Sequence, residues 1–298
     1  MILGNEDIKK IAICGAEEPL GRALTKSLQT SGVEVLDLDA DDLRAPAPTL
    51  GEELEGVDGI VNMFGEPYVA KWRGRYEFDI YRSRLVSIRS LGTAMMYMKR
   101  TPRFFITVSN AMVYDKFEVH DEYSMSYGDT LMSEVGQMET KETMKVAKQT
   151  KNVRVIIARM GYLMSREGGA YPLLEKLAKI GWGGRVDDGY QCLPMIYEDD
   201  AVRAILHLAS DERSQGIYNL TLPEMASMNE LVGAFSEALG KNQHRLPKVL
   251  IKMFAGRAFN LLEQNCKVLP SRLTAEGFEF LCDNVKSVIM ELGGPRLL

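Results

Sequence analysis

Apolar and polar positions fall into blocks along most of this chain, and the first block sets the theme. Ile11, Ala12, Ile13 and Cys14 form a short apolar run that ends at Gly15. Beyond Pro19, the residues Leu20, Ala23, Leu24 and Leu28 recur at helical spacing, which predicts one buried stripe on a helix. Pro19 suits the first helical turn, where a missing N–H costs nothing. Later blocks repeat the theme, with strands expected at 33–38, 59–62, 104–108 and 153–158. Long helices are expected over 78–99 and about 130–150; the first carries Leu85, Ile88, Leu91 and Met95 on one face, and the second has a looser stripe. Strands alternating with helices predict βαβ units and a parallel sheet.

The pattern changes near residue 160. The stretch Gly161 to Gly189 is rich in glycine and reads as irregular. A short strand over Met195 to Tyr197 and a helix over Ala201 to Ala209 follow, with Asp200 placed as a helix cap. Ser227-x-x-Glu230 is a capping box opening a helix that carries Leu231, Val232, Phe235 and Leu239, and Gly240 stops it. Two more helices are expected beyond Pro247. These shifts divide the chain into a nucleotide-binding part at 1–160, a substrate-covering part at 161–246 and a C-terminal module at 247–298.

Bulk composition narrows the classes. At 298 residues, 46% apolar and 26% charged, the chain can bury a full core. A net charge of −5 without any basic block argues against nucleic acid as a partner. Cys14, Cys192, Cys266 and Cys282 have no metal-ligand spacing, so no metal site is expected and a reducing compartment fits best. No apolar run reaches the roughly 18 residues of a membrane span. The first ten residues lack the layout of a signal or transit peptide, which favours a cytoplasmic reading and leaves a mitochondrial address open.

A strand, a tight glycine turn and a helix open a dinucleotide-binding unit, because the helix N-terminus points free N–H groups at a pyrophosphate. In the spacing G-x-x-G-x-x-G the three positions here are Gly15, Glu18 and Gly21. Gly15 can make the turn, Leu20 and Gly21 can bring the helix close, and Glu18 adds a charge where phosphates should approach. Two like unit charges about 4 Å apart repel by roughly 4 kcal/mol at an effective dielectric near 20. Asp39 follows the second strand at the distance of a ribose-binding acid, which favours NAD over NADP; a solvated acidic loop is the other reading. Asn62, Phe64 and Gly65 close the next strand, where the loop lies across a cofactor, although Phe64 also fits a core position.

Several segments together resemble one family, the atypical extended short-chain dehydrogenase/reductases known as epimerase-like or cell division inhibitor-like proteins. The landmarks are Gly21-Arg22-Ala23-Leu24, Val61-Asn62 with Gly65-Glu66, Trp72, Ser83-Arg84, and Ser109 with Tyr114. Further on come Gly168-Gly169, the run Gly181-x-Gly183-Gly184-x-x-x-x-Gly189-x-Gln191, Ile196 with Asp200, and Tyr218-Asn219-Leu220-Thr221-x-Pro223. The tail Lys267-Val268-Leu269-Pro270-x-Arg272 before Gly277-Phe278 completes the series. The resemblance implies an α/β Rossmann-type doubly wound parallel sheet with a smaller C-terminal region, NAD or NADP as ligand, and a homodimer packed through the two long helices.

Ordinary members of that superfamily move a hydride with Tyr-x-x-x-Lys and a serine that holds the substrate oxygen. No tyrosine here is followed four positions later by lysine; Glu134 and Met138 align with the pair. The Trp-Glu pair of the atypical family aligns with Lys141-Glu142. Ser109 and Tyr114 are the remaining candidates for catalysis, Ser109 toward a carbonyl or nicotinamide amide and Tyr114 as a proton donor; a capping serine and a half-buried aromatic are the plain alternatives. Arg84, Asn110, Arg185 and Gln191 are the candidates for a small polar substrate, Arg84 equally for a surface ion pair. Two functions stand side by side: a weak or atypical NAD(P)-dependent oxidoreductase, epimerase-like, and an inactive pseudoenzyme kept as a binding or scaffolding module.

Overall fold

A computed structural model describes residues 8–68, 70, 72–181, 188–242, 244 and 265–293 of the chain. The chain runs β1 (Lys10–Cys14), α1 (Pro19–Thr30), β2 (Glu34–Leu38), α2 (Ala47–Glu53), β3 (Gly59–Asn62), α3 (Tyr76–Met95) and β4 (Phe104–Asn110). It continues through β5 (Val119–His120), α4 (Leu131–Gln149), β6 (Arg154–Met160), β7 (Tyr162–Ser165), β8 (Gly168–Gly169), α5 (Tyr171–Lys179) and β9 (Met195–Tyr197). Then follow α6 (Glu198–Ser210), β10 (Gly216–Leu220), α7 (Met228–Leu239), β11 (Lys267–Val268) and two helices at Ser271–Ala275 and Val285–Gly293. Among the described residues no helix is long and apolar enough to cross a membrane.

Six strands form one parallel sheet in the order β10-β6-β4-β3-β1-β2. Its strands read as apolar runs because helices cover both faces and leave no side for water. On one face Leu20, Leu24 and Leu28 of α1 and Ile205 and Leu208 of α6 meet Ile11, Ile13, Ile106 and Ile156. On the other, Leu50 of α2, Ile88 and Leu91 of α3 and Val146 of α4 meet Ala12, Ile60 and Phe105. The fold is therefore the Rossmann-type doubly wound sheet. β2 and β3 lie on opposite sides of β1, so the chain reverses its winding there and leaves a crevice at the carboxyl ends of β1 and β3.

Two segments are more ordered than their sequence predicts. The strand expected at 104–108 runs on through Ser109 and Asn110, which pair with Arg159 and Met160 of β6. The glycine-rich stretch after residue 160 folds into β7, β8 and α5, with β7 between β8 and β9 in a small sheet. Its glycines serve close packing: a Cβ on Gly168 would sit 2.2 Å from the Pro19 ring, so the β7–β8 hairpin rests on the start of α1.

The C-terminal segment is tied back onto the sheet domain. β11 pairs with β5, and the backbone N–H groups of Asn219 and Arg272 both donate to the buried carboxylate of Glu122. Asp200 is not the N-cap of α6. It lies fully buried in the first turn of that helix and accepts the backbone N–H groups of Leu281 (2.7 Å) and Cys282 (3.0 Å), while Arg203 pairs with it at 3.1 Å. The Ser227 capping box and the left-handed Gly240 stop (φ 60°) are both present on α7. The two N–H groups held by Asp200 have no substitute partner if it is removed, so Asp200→Ala should cost about 1–3 kcal/mol in urea unfolding. A change within the error of the measurement would contradict the clamp.

Candidate functional site

The turn after β1 is built on two glycines for two different reasons. Gly15 holds φ 88°, a conformation that side chains strain, and carries the chain from β1 into the turn. Gly21 sits in α1 where a Cβ would lie 2.1 Å from the Gly15 carbonyl oxygen and 2.7 Å from the Ala16 Cα. The helix can therefore sit directly on the turn. Pro19 occupies the first helical position and no side chain caps the helix, so the first-turn N–H groups of Leu20 and Gly21 face the crevice without a capping carboxylate or hydroxyl. Glu18, the N-cap residue, keeps its side chain exposed.

The far wall of the crevice follows β3. Asn62 is buried; its amide donates to Ser87 Oγ (3.1 Å) and its Oδ1 accepts the N–H of Phe64 (3.3 Å). Phe64 is half-buried against the α2–α3 side of the core. Gly65 leaves room for Arg84, whose Cζ would lie 2.7 Å from a Cβ there. At the end of β2, Asp39 Oδ1 accepts the N–H groups of Asp41 (2.7 Å) and Asp42 (3.1 Å), and these bonds hold its carboxyl below the usual range. Burial raises the Asp37 carboxyl, and the negative charges of Glu17, Asp39 and Asp42 raise it further.

Beneath the loop after β3 lies a buried polar cluster that joins β4, α3 and α4. Glu139 of α4 is 1% exposed. Its Oε2 accepts the Ser109 hydroxyl at 2.6 Å, and Arg84 Nε lies 3.3 Å from its Oε1. Arg84 is itself buried: Nη1 donates to the Glu66 carbonyl (2.9 Å) and the Ile80 carbonyl (3.1 Å), and its Cζ stacks 3.9 Å from the Tyr68 ring centre. It is held inward, away from the surface pairing that its sequence position also allowed. Asn110 donates through Nδ2 to the Met132 carbonyl (3.2 Å) and Tyr68 Oη (3.4 Å), while its buried Oδ1 has no partner. Burial pushes the Glu139 carboxyl up to about 7 against the opposing pull of Arg84, Ser109, Asn110 and Arg159.

Tyr114 belongs to a second buried chain of contacts. Its hydroxyl donates to Asn219 Oδ1 (3.0 Å) and accepts from Arg159 Nη1 (2.7 Å), and its ring stacks on His120 at 5.0 Å. Burial raises its hydroxyl, and both hydrogen-bonding directions are committed to the protein. This geometry gives Tyr114 a structural task, tying β6, β10 and the β5 loop together. Arg159 is fully buried, with Tyr114 Oη and Thr140 Oγ1 (3.2 Å) as partners and Nε unpaired. Gln191 is half-buried and its carbonyl accepts the N–H of Met228 at the start of α7. Arg185 and Trp182 lie outside the described residues. Trp72 is buried, its indole N–H on the Tyr68 carbonyl (3.0 Å).

No protein-family model matches the chain. It is 26% identical over 306 aligned positions to an epimerase family protein of Staphylococcus saprophyticus, covering 96% of this chain and 99% of that one. The solved structure of a human epimerase family protein with NADPH superposes with a TM-score of 0.84 at 24% identity, over 95% of this chain and 99% of that one. A nucleoside-diphosphate sugar epimerase of Corynebacterium glutamicum superposes with a TM-score of 0.78 at 25% identity, over 96% of this chain and 59% of that one. Over nearly its whole length this chain is similar to epimerase family proteins and has the fold of the extended short-chain dehydrogenase/reductases. Its fold is an epimerase-like, NAD(P)-binding fold, and related structures hold NADPH or NAD.

Within this chain, the positions aligned with the missing proton-transfer pair fall apart. Glu134 is exposed and Met138 packs in the core of the C-terminal half. Lys141 is exposed, and Glu142 pairs with Arg89 (2.9 Å) and Lys145 (2.6 Å) along the outer side of α3 and α4. Glu139 and Tyr68 escaped the sequence reading. A signal for Glu139 existed: Met132, Val135, Glu139, Thr143 and Val146 share the buried face of α4, and the carboxylate is what loosens that stripe. The structure also gathers His207, Asp211 and Glu276 into one group, which no sequence pattern links. Arg213 takes both oxygens of Asp211 there (3.0 and 2.8 Å), so the group is already charge-compensated.

Because Glu139 titrates higher in the folded chain than in the unfolded one, its protonated form is the favoured folded form. Its contribution to stability is therefore full below about pH 4.5 and is lost as pH rises through about 7. Relative to Glu139→Gln, the wild type should lose roughly 2–4 kcal/mol across that window in urea unfolding at stepped pH. A constant difference between the two proteins would contradict the assignment.

Proposed function

We propose that this protein binds a nicotinamide dinucleotide in the crevice at the carboxyl ends of β1 and β3, NAD in preference to NADP. The observation that carries the reading is the start of α1: a helix without a side-chain cap, brought onto a glycine turn by a Gly21 that tolerates no Cβ. Such an end takes phosphate oxygens on backbone N–H groups. Leu20 and Gly21 would hold the pyrophosphate, Asp39 the adenosine ribose, and the loop of Asn62, Phe64 and Gly65 the nicotinamide side. The group, when bound, supplies a hydride acceptor or donor. The preference for NAD rests on Asp37, Asp39, Asp42 and Glu17, which surround the end of β2 with negative charge and oppose a 2′-phosphate.

The substrate class that fits is a small polar metabolite, handled as an oxidoreductase or epimerase-like protein without a tyrosine proton relay. A second reading, a binding module without catalysis, is favoured by one observation: the Tyr114 hydroxyl is fully committed to Asn219 and Arg159. Both readings share the nucleotide.

Thermal unfolding with millimolar NAD, NADH, NADP and NADPH separates them from a fold that has lost its ligand. NAD and NADH should raise the midpoint, NADP and NADPH less. Glu18→Gly should enlarge the shift with every nucleotide by tightening binding several-fold, because it removes an exposed negative charge from the mouth of the crevice. No shift with any of the four would end the nucleotide reading.

A further inference from the structure

We propose that Cys192 and Cys266 are a redox-sensitive pair that closes into a reversible disulfide, with a small-molecule disulfide of the glutathione class as the oxidant. The proposal does not depend on the nucleotide reading above.

The fold brings the two residues together although the sequence keeps them far apart. The Cys266 N–H donates to the Cys192 carbonyl at 2.9 Å, and the Cys192 N–H donates to Asn265 Oδ1 at 2.9 Å. On its other side Cys192 forms a β-bridge with Ser227, the N-cap of α7, so its main chain is fixed from both directions. Segments joined by main-chain hydrogen bonds run about 5 Å apart. A disulfide asks for Cα atoms roughly 4.4–6.8 Å apart. Both cysteine side chains border one cavity of about 10 Å³, close to the least that holds a single water molecule. The Cys266 thiol lies 3.4 Å from the Ala111 carbonyl and 3.8 Å from the Tyr114 carbonyl. A thiol donates weakly, so turning it toward Cys192 gives up little.

The four cysteines differ in access and in chemistry. Cys14, Cys266 and Cys282 are buried, and Cys192 is partly exposed. Burial raises the Cys192 thiol, while the charge of Lys267 pulls it back toward the thiolate. Burial pushes the Cys266 thiol up to about 12. A dissolved oxidant therefore meets Cys192 first, and Cys266 stands behind it as the resolving thiol. In the first step the Cys192 thiolate attacks one sulfur of the small disulfide, forms a mixed disulfide and releases one small thiolate. In the second the Cys266 thiol gives its proton to that released thiolate, and its sulfur attacks Cys192 Sγ. The protein S–S bond forms and a second small thiolate leaves, taking up the proton that Cys192 lost on ionising. Two protein thiols are oxidised and one small disulfide is reduced to two thiols. The new bond joins the strap before β9, which carries Gln191, to the start of the returning C-terminal segment. In a reducing compartment a bond of this kind is transient, made and reopened by exchange.

The test is thiol counting on the whole folded protein. The chain is incubated with oxidised glutathione, quenched in acid, alkylated with iodoacetamide in denaturant and weighed intact, and its peptides are then mapped without reduction. The wild type should lose two of its four alkylatable thiols, carry no glutathione, and yield one linked peptide pair that joins Cys192 to Cys266. Cys266→Ala should stop at the mixed disulfide, with one glutathione on Cys192. Cys192→Ser should keep its three remaining thiols. Excess reduced glutathione should return the oxidised wild type to four. Four free thiols after oxidation would overturn the proposal without any variant, and so would a lasting glutathione adduct on wild-type Cys192. A bridge through Cys14 or Cys282, or a Cys192–Cys266 bridge that reduced glutathione leaves closed, would also overturn it.

Discussion

One contact joins the parts of this molecule that bear on function: the carboxylate of Glu139, enclosed between the Ser109 hydroxyl and the Arg84 guanidinium. It ties α4 to the end of β4, the strand before it, and to α3, the helix of the preceding βαβ unit. Removing water from a carboxylate is expensive unless its oxygens are occupied, so each neighbour is constrained in turn. Arg84 must lie inward, which requires Gly65 to carry no side chain and fixes the loop after β3 over the guanidinium through the Glu66 carbonyl. Asn110 and Tyr68 fill the remaining space. The same enclosure that makes the cluster rigid pushes the Glu139 carboxyl up to about 7.

Two other buried carboxylates repeat the device at the joins of the fold. Glu122 takes the backbone N–H groups of Asn219 and Arg272, linking the β5 loop, β10 and the returning C-terminal segment. Asp200 takes those of Leu281 and Cys282, linking α6 to the same segment further along. Each carboxylate satisfies donors that no secondary structure would satisfy. The segment after β11 is thus held by charge-assisted bonds to main chain as well as by the packing of its last helix on α7.

Much of the architecture was legible in the amino-acid sequence because it rests on short-range periodicity. The stripe Leu20, Leu24, Leu28 and the run Ile11 to Cys14 needed nothing beyond helical and strand spacing, and the Ser227 box and Gly240 stop are local chemistry. What escaped depended on partners distant in sequence. The strand read as ending at Val108 extends through Ser109 and Asn110 only once Arg159 and Met160 are placed beside them. Gly168 looks like flexibility until Pro19 is found against it. Arg84 and Glu139 look like surface charges on long helices, since no local pattern pairs residues on different helices. The candidate site was half legible for the same reason: Gly15, Gly21 and Asp39 follow a spacing, whereas the chemistry of Ser109 lies in a contact with a residue 30 positions away.

The most direct measurement is a crystal structure of the protein grown with NAD. The account predicts pyrophosphate oxygens on the N–H groups of Leu20 and Gly21, and a nicotinamide ring at the carboxyl end of β3 beside the loop of Asn62, Phe64 and Gly65. It also predicts that Ser109 stays within hydrogen-bonding distance of Glu139. A crevice closed by the chain's own side chains, or a dinucleotide bound away from the start of α1, would contradict it.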